Sequence, residues 1–535
     1  MSGTILQEVR HRWCWAVALG GGVILALAVT ALLPGQAAAR PGLEPNIIPT
    51  ICITDSAGPS PTADPPPVSV IRPQPDHYPS CRFGVTVGGN VVPYDVASLN
   101  VGWYLDWSAA ITPHQPGGAE YFQMIRLAQV GNSFTFQPTT STLYAIMDAN
   151  PGAVWLIGNE QDRRLYQDDL APEIYARAYH YLYGLIKERD PSAKIAIGGV
   201  VQPTPLRFQY LDLVWDSYLQ EYGTPIPVDI WNVHSFILRE ISPDHPQAQQ
   251  PGYEVWGAGI PRGTQFDGVM EGALYTYSQQ DDLAIFRQRI TEFRRWMAAK
   301  GQQDKPLIVS EYGVLFPEDY YDENGQRFSA ERVGAFMQGT FDFFRTYTDP
   351  SIGYPADGNR LVQRWAWFSV DGNPYDWGGT LFDPTTHDLR PLGEDFRAYT
   401  SALSPTVDLV AARAFAEPSV ILYEGVPVTV TLKALVSNAG DIATTSSFTA
   451  TFYDGPVGQA GVDVIGEPQV VTSELQGCAD YTIASVSWGG LDAGAHPFSV
   501  QVQADSADAN LTNNVTEGIA LVARYRTCLP VVFRR

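Results

Sequence analysis

Two glutamates each follow a short apolar run, and a pair of carboxylates is what the cleavage of a glycosidic bond requires. Glu160 comes after the run 153–158 and Asn159, and Glu311 comes directly after the run 306–310. A carboxylate at the carboxyl end of a buried parallel strand points into the mouth of an α/β barrel, where active sites are built. Two carboxylates that face one cavity can divide the roles of acid and nucleophile across a glycosidic bond. The pair therefore predicts a glycoside hydrolase.

A single glutamate after an apolar run is usually a loop residue or a neighbour of a helix cap. The pair is harder to explain in that way, because both glutamates follow strand-like runs and aromatic residues surround both. Asn159 strengthens the interpretation, since its amide could hydrogen-bond a sugar hydroxyl beside the scissile bond. We therefore interpret Glu160 and Glu311 as catalytic and Asn159 as substrate-binding.

The composition is acidic, and it is apolar enough for a large core. Of the 535 residues, 45% are hydrophobic, and the formal net charge is −23. A chain of this length predicts two or three domains. An acidic protein lacks the basic patches that displace counterions from nucleic acid, so we expect no nucleic-acid partner. The same acidity suits an exported protein that acts on neutral polymers.

Residues 1–39 have the pattern of an export signal. Arg10, His11 and Arg12 form a basic segment, 13–33 is apolar and uncharged, and 37–39 offers the small residues at which a signal peptidase could cut. The apolar segment is also long enough to cross a bilayer, so an uncleaved signal anchor is the alternative. We expect a secreted protein, or one that this segment attaches to the cell envelope.

The cysteines agree with export. Cys14 lies in the signal, which leaves Cys52, Cys81, Cys478 and Cys528. An even count in an exported protein predicts disulfides. Of the three possible pairings, Cys52–Cys81 with Cys478–Cys528 is the most economical, because each bond stays within one region. None of the spacings resembles a metal site, and nothing in the sequence calls for a metal or an organic cofactor.

Composition and periodicity divide the remaining chain into three parts. Residues 40–81 are rich in proline and predict an extended linker. Strand and helix patterns alternate over 82–403, which predicts a parallel sheet wrapped by helices. Short alternating runs separated by Gly and Asn over 404–535 predict an all-β immunoglobulin-like sandwich.

The central part contains eight candidate strands, the number that closes a (β/α)8 TIM barrel. These strands are 83–87, 99–104, 121–127, 154–157, 194–198, 229–233, 307–309 and 362–368, and the clearest helices are 171–189, 281–300 and 329–347. The connections between the first three strands are too short for full crossover helices, so we expect an irregular barrel. A long insertion, 235–280, follows the sixth strand and would overhang the active-site mouth. The tail contains further strand-like runs, 426–436, 446–453, 481–488, 496–503 and 519–523.

Several motifs make the central part similar to a known group of enzymes. The run Gly158-Asn-Glu-Gln-Asp162 resembles the strand-four acid/base motif of the retaining (β/α)8 glycoside hydrolases of clan A. The run Ile308-Val-Ser-Glu-Tyr-Gly313 resembles their strand-seven nucleophile motif. Within the clan, Trp103-Tyr-Leu-Asp-Trp107, Val233-His-Ser-Phe236 and Arg364-Trp-Ala-Trp-Phe368 are most similar to the endo-β-1,3-glucanase family. The sequence departs from that family at Asp106, Gln161 and Phe236, where Asn, Pro and Tyr are usual.

The resemblance implies a retaining mechanism and a set of roles. Glu311 would attack the anomeric carbon while Glu160 protonates the leaving oxygen, with the carboxyl groups about 5–5.5 Å apart. Glu160 would be held protonated by less polar surroundings and by the negative charge of Glu311. The side chains that we assign to substrate binding, beside Asn159, are Trp103, Trp107, His234, Tyr312, Trp365 and Trp367.

The tail resembles a CARDB-type immunoglobulin-like module through Asn438-Ala-Gly, Phe452-Tyr-Asp-Gly and Asn513-Asn514. Such modules occur as spacers or adhesion units in bacterial surface proteins. Two alternatives to a hydrolase of β-linked polysaccharide therefore stay open. One is a surface adhesion protein that binds glycan without cleaving it, and the other is a transglycosylase that remodels a wall polymer. The sequence leaves the glycan, endo or exo action and the oligomeric state open.

Overall fold

The computed structural model describes residues 80–164, 167–249, 257–372, 377–505 and 507–524. These residues belong to one compact unit, Pro75–Arg535. The predicted export signal, most of the linker, Cys52 and Cys528 lie outside the described residues. Within the described ranges, no helix has the length and apolar character that a membrane span requires.

All eight predicted parallel strands are present, the third of them as two consecutive segments. The strands of this part are β1 Ser80–Thr86, β2 Val101–Leu105, β3 Glu120–Tyr121, β4 Gln123–Val130, β5 Ser133–Gln137, β6 Val154–Asn159, β7 Lys194–Gly199, β8 Trp231–His234, β9 Leu307–Tyr312 and β10 Arg364–Trp367. The sequence did not predict β5, which forms an antiparallel hairpin with β4.

The strands form two neighbouring sheets. One has the order β3-β2-β1-β10-β9-β8 and the other the order β5-β4-β6-β7. Parallel bridges Ala196–Ile230 and Val200–Val233 join β7 to β8, and the chain runs directly from β3 into β4. The result is a TIM-barrel-like domain.

Within the part of the chain that the structure describes, six α-helices accompany these strands: α1 Thr140–Ala149, α2 Pro172–Arg189, α3 Pro205–Tyr222, α4 Leu283–Ala299, α5 Ala330–Thr346 and α6 Pro391–Ser401. The predictions for α2, α4 and α5 are confirmed, whereas α1, α3 and α6 were not predicted. The connections β1–β2 and β2–β3 contain only the short 3₁₀ turns Val96–Leu99 and Pro116–Gly118, as their compressed length predicted.

Strand alternation separates two apolar layers. Trp103, Phe122, Leu156 and Ile308 belong to one buried cluster, to which six strands contribute. A Cβ on residue 84 would lie 2.5 Å from the Trp103 ring, so only glycine lets β1 approach this indole. Side chains of the opposite strand face pack against the helices in a larger cluster.

The tail forms two antiparallel sheets around their own core. Its strands are β11 Leu409–Glu417, β12 Val420–Leu422, β13 Val428–Asn438, β14 Phe448–Tyr453, β15 Gln469–Val471, β16 Asp480–Leu491, β17 Gly494–Ala504 and β18 Val515–Ala523. The sheet orders are β11-β13-β16 and β12-β18-β17-β14-β15, with only the β12–β18 pair parallel. All five predicted strands are present, and β11, β12 and β15 are additional.

Arg82 on β1 joins the parallel strands to the tail. This guanidinium is buried and lies 2.8 Å from Asp357 Oδ1 and 3.1 Å from Asp441 Oδ1. Beside it, Cys81 is bonded to Cys478, 397 residues further along the chain. The predicted pairs Cys52–Cys81 and Cys478–Cys528 are therefore wrong. Pairing the cysteines within one region of the sequence was the wrong criterion, because tertiary contact brings the turn before β16 against the start of β1.

Candidate active site

Glu160 sits in a tight turn directly after β6. Gly158 and Glu160 have φ values of +91° and +45°, and the Glu160 amide donates to the Gly199 carbonyl at 3.0 Å. A left-handed φ is uncommon for glutamate and here sets the direction in which its side chain leaves the strand. The carboxylate is only 1% exposed.

Glu311 lies on β9, next to the strand that carries His234. The two residues are partners in the parallel β8–β9 register. Glu311 is 4% exposed, and its Oε1 accepts a hydrogen bond from the indole Nε1 of Trp107 at 2.5 Å. Trp107 follows β2 in a left-handed conformation, with φ +60°. Trp107 was predicted to contact the sugar, and the structure adds a role for it as a hydrogen-bond donor to a carboxylate.

His234 lies between the two glutamates. Its Nδ1 is hydrogen-bonded to Glu160 Oε1 at 3.1 Å, and its Nε2 lies 3.4 Å from Glu311 Oε1 without hydrogen-bond geometry. The ring fits there because residue 199 is glycine, since a Cβ would lie 2.5 Å from His234 Cδ2. From the sequence, His234 was assigned to substrate binding, and nothing pointed to Gly199.

The three side chains form one compact group. An oxygen of Glu160, an oxygen of Glu311 and a ring nitrogen of His234 all lie within 4.8 Å of one another. This spacing is near the roughly 5–5.5 Å between carboxyl groups in retaining glycosidases and well below the roughly 6.5–9.5 Å of inverting ones. One small molecule could contact both carboxylates at once.

Arg163 completes the surroundings of Glu160 and was missed in the sequence. Its Nη1 donates to Glu160 Oε2 at 3.0 Å, and its Nη2 donates to the Gly257 carbonyl at 3.0 Å. The i,i+3 spacing after a predicted carboxylate was the available signal. It had little weight, because such spacing specifies a contact only when the intervening turn is known.

The protonation of the pair is the reverse of what the sequence predicted. Burial alone would raise the pKa of Glu160, but the Arg163 charge and the contacts with His234 lower that pKa to about 2. Burial raises the pKa of Glu311 to about 7, with a contribution from the negative charge of Glu160. Burial alone would lower the pKa of His234, but both carboxylates act to raise it. The directions of the two pKa shifts favour a resting proton on Glu311 over one on Glu160.

Glu160, His234 and Glu311 are residue types that also bind metal ions, so the partners of their donor atoms decide whether an ion could bind. Both Glu160 oxygens already have partners, Oε1 with His234 and Oε2 with Arg163. A guanidinium 3.0 Å from one ligand oxygen would repel a divalent cation. This arrangement of donor atoms is therefore unfavourable for a divalent cation.

Asn159 is the last residue of β6, and one hydrogen-bonding atom of its side chain is unused. Its Nδ2 donates to Gln167 Oε1 at 3.0 Å, while its buried Oδ1 has no hydrogen-bond partner among the described residues. Its backbone amide is fixed by Asp168 Oδ2 at 2.8 Å. A buried acceptor without a partner is costly, so its availability beside Glu160 suits a ligand hydroxyl.

Four predicted substrate-binding aromatics are not available to a sugar. Those that are completely buried are Trp103, Tyr312, Trp365 and Trp367. Trp103 stacks on Phe122 inside the strands, and Trp367 packs edge-on against Tyr312. The assignment was wrong because strand alternation shows which residues share a face, but not which face is accessible. Of the predicted tryptophans, only Trp107 combines partial exposure with contact to a carboxylate.

The predicted insertion after β8 is tied to the turn that carries Glu160. Arg207 is fully buried and donates to Asp162 Oδ2 at 2.8 Å, to the Ala258 carbonyl at 2.8 Å and to the Gly259 carbonyl at 3.0 Å. Glu240, also buried, lies 3.4 Å from the same guanidinium. A buried arginine with this set of acceptors fixes the insertion beside the carboxylates.

Comparison with known proteins gives only distant structural likenesses. No family model matches the chain, and no curated protein matches it. A monomeric β-xylosidase from Caulobacter crescentus aligns at 10% identity and a TM-score of 0.38, over 76% of this chain and 95% of its own. A GH39 enzyme from Xanthomonas axonopodis pv. citri aligns at 10% identity and a TM-score of 0.37, over 77% and 92%. The CARDB domain of a Pyrococcus furiosus protein aligns at 16% identity and a TM-score of 0.17, over 22% of this chain and 89% of its own.

These values are too low to establish a family or an activity. Two of the three proteins are glycoside hydrolases by description, and the third is a CARDB domain. None of the three is described as an endo-β-1,3-glucanase, so that narrower resemblance gains no support from them.

Proposed function

We propose that this protein is a secreted glycoside hydrolase that cleaves β-linked polysaccharide with retention of configuration. The observation that carries the proposal is the pair Glu160 and Glu311, two buried carboxylates with oxygens within 4.8 Å of each other. Burying two carboxylates this close together is costly, and folding alone gives no reason for it. A retaining glycosidase needs such a pair.

In the first step, Glu311 attacks the anomeric carbon and Glu160 protonates the departing glycosidic oxygen. The productive form therefore has the proton on Glu160 and the charge on Glu311. His234 offers a route by which a proton can pass from Glu311 to Glu160, since its Nδ1 contacts Glu160 and its Nε2 faces Glu311. Nε2 accepts the Glu311 proton while Nδ1–H passes to Glu160, so the ring changes tautomer and gains no net charge.

In the second step, Glu160 acts as a base. Having given up its proton, it removes one from a water molecule that attacks the anomeric carbon on the side opposite Glu311. The glycosyl–Glu311 bond breaks, and Glu160 ends protonated. Two inversions give net retention.

The strand arrangement supports this reading of the site. We infer that the eight parallel strands close into an irregular (β/α)8 barrel, because the observed pairings and bridges run from β1 through β2, β3–β4, β6, β7, β8 and β9 to β10 and back to β1. Glu160, His234 and Glu311 then lie at the carboxyl ends of β6, β8 and β9. That end of such a barrel is where active sites form.

The alternatives predict different chemistry. An adhesion protein would bind glycan without turnover, and a transglycosylase would transfer the glycosyl unit from Glu311 to a sugar hydroxyl in place of water. Reducing-end assays on β-glucans, β-mannans and xylans identify a hydrolase and its glycan. Chain-length analysis of the products identifies a transferase.

Two substitutions test the roles of the carboxylates. Glu311→Gln keeps the shape and the hydrogen bonds but cannot form the glycosyl bond, so turnover should fall by several orders of magnitude while glycan affinity survives. Glu160→Ala should still react with substrates that have good leaving groups and then stall at the intermediate. Azide needs no general base and should restore turnover to Glu160→Ala only. Equal binding by both variants, with no turnover by the unaltered protein, would favour the adhesion alternative.

A further inference from the structure

Arg163 holds the oxygen of Glu160 that does not face His234. Glu160 Oε1 faces the completely buried His234, whereas Oε2 accepts from Arg163, whose side chain is 14% exposed. A glycosidic oxygen that takes a proton from Glu160 on the side away from His234 therefore meets the guanidinium of Arg163.

The position of Arg163 is set by the insertion as well as by Glu160. Its second nitrogen, Nη2, donates to the Gly257 carbonyl at 3.0 Å. The next two carbonyls, Ala258 and Gly259, are held by Arg207 at 2.8 and 3.0 Å. Arg207 is completely buried and also fixes Asp162. Three consecutive carbonyls thus hold two arginines, one buried and one that borders the carboxylates.

These contacts give the two arginines different freedom. Moving Arg207 would take the arginine counter-ion from the buried Asp162 and Glu240, which is strongly destabilising. Arg163 can leave Glu160 at lower cost provided that other oxygens replace the carboxylate, because it is partly exposed and its guanidinium has five N–H donors. The hydroxyl groups of a sugar are such oxygens.

We propose that Arg163 is a specificity-determining residue of the leaving-group subsite, where the departing sugar displaces it from Glu160 and accepts its hydrogen bonds. The proposal rests on the proposed function and deepens it. Among the residues that the structure describes, the charged groups around Glu160 are Arg163, His234, Asp162 and Glu311, and Arg163 is the one that contacts Oε2. A leaving group without hydroxyls leaves Arg163 in place and reacts slowly whenever it needs protonation.

The test uses three kinds of substrate on the full protein and on Arg163→Gln. The probes are β-1,3- and β-1,4-linked gluco- and xylo-oligosaccharides, phenyl β-glucoside and β-xyloside, and the corresponding 2,4-dinitrophenyl glycosides. Oligosaccharides place a sugar against Arg163. A phenolate leaving group needs protonation but offers no sugar hydroxyls to Arg163. A 2,4-dinitrophenolate leaving group offers no sugar hydroxyls and needs no protonation.

The expected result is a change of opposite sign for two of these classes. In Arg163→Gln, kcat/KM for oligosaccharides should fall by about ten- to a hundredfold, as for the loss of a charged hydrogen bond. The phenyl glycoside should react several-fold faster, and the dinitrophenyl glycoside should change by less than about twofold in the glycosylation step. The acidic limb of the pH profile of kcat/KM should move to higher pH, because the cation no longer favours the ionised form of Glu160.

Two further variants serve as controls. Arg262→Gln removes an arginine of the same insertion that pairs with Asp169 at the surface, and it should leave all three substrates unaffected. Arg163→Lys keeps the charge but loses the planar guanidinium with its paired donors. It should therefore preserve the acidic limb of the pH profile of kcat/KM and only part of kcat/KM for the oligosaccharides.

The outcomes separate this proposal from the proposed function. No turnover of any probe by the unaltered protein contradicts the hydrolase itself. Turnover that falls in parallel for all three substrates in Arg163→Gln overturns the proposal and shows a structural role. An unchanged ratio of kcat/KM for the oligosaccharides to kcat/KM for the phenyl glycosides also overturns the proposal.

Discussion

Trp107 donates its indole N–H to Oε1 of Glu311 at 2.5 Å, across 204 positions of sequence. A hydrogen bond to a charged group contributes about 1.5–3 kcal/mol, and this one favours the ionised form that attacks the sugar. Trp107→Phe keeps an aromatic ring but removes the donor. We expect kcat to fall by about 10- to 150-fold. Trp488→Phe, far along the chain in β16, is the matched control, and an equal loss of activity there would contradict the assignment.

His234 is expected to matter most for substrates that require protonation. His234→Asn removes the route between the carboxylates, so turnover of phenyl glycosides should drop by about 10²- to 10⁴-fold. Dinitrophenyl glycosides should lose much less in the burst that reports glycosylation. Gly199→Ala should reproduce part of this pattern, because the new Cβ would lie 2.5 Å from the imidazole. Comparable losses for the two leaving groups would argue against a proton route through His234.

Activity should be confined to acidic and neutral solution. Glu311 has a pKa raised to about 7, so the pair keeps one shared proton below that pH and loses it above. Without that proton Glu160 cannot act as an acid, and kcat/KM for phenyl glycosides should fall as the pH rises through about 7. An optimum well above pH 8 would contradict this assignment of protons.

The bond Cys81–Cys478 should be present in the oxidised protein and should stabilise it. Peptides carrying Cys81 and Cys478 should be joined in a digest made without reduction. Replacing both cysteines by alanine should lower the free energy of unfolding by about 2–4 kcal/mol, because the cross-link spans a very long loop. Kinetic constants should stay unchanged, since neither residue contacts the carboxylates. A digest that joins Cys478 to Cys528 would instead restore the original sequence-based pairing.

The strands and the carboxylates could be predicted because their signals are local. Apolar runs marked β6 and β9, and the residue that ends each run identified Glu160 and Glu311. Helices α1 and α6 were missed because they are only 10 and 11 residues long, and α3 was missed because its apolar residues follow no strong helical period. What depended on an unusual backbone conformation or on distant contacts could not be predicted from the sequence. Arg163 reaches Glu160 through a left-handed turn, and Cys81 meets Cys478 because the turn before β16 lies against the start of β1.

The central claim is that Glu311 forms a covalent bond to the sugar. A 2-deoxy-2-fluoro β-glycoside with a dinitrophenyl leaving group should form this bond, because its leaving group needs no acid, and then hydrolyse very slowly. Intact-mass measurement should show the addition of one glycosyl unit, and peptide sequencing should place it on Glu311. Glu160→Ala should still be labelled, whereas Glu311→Gln should not. Label on another residue, or rapid turnover of the natural glycan without any trapped adduct, would contradict the account.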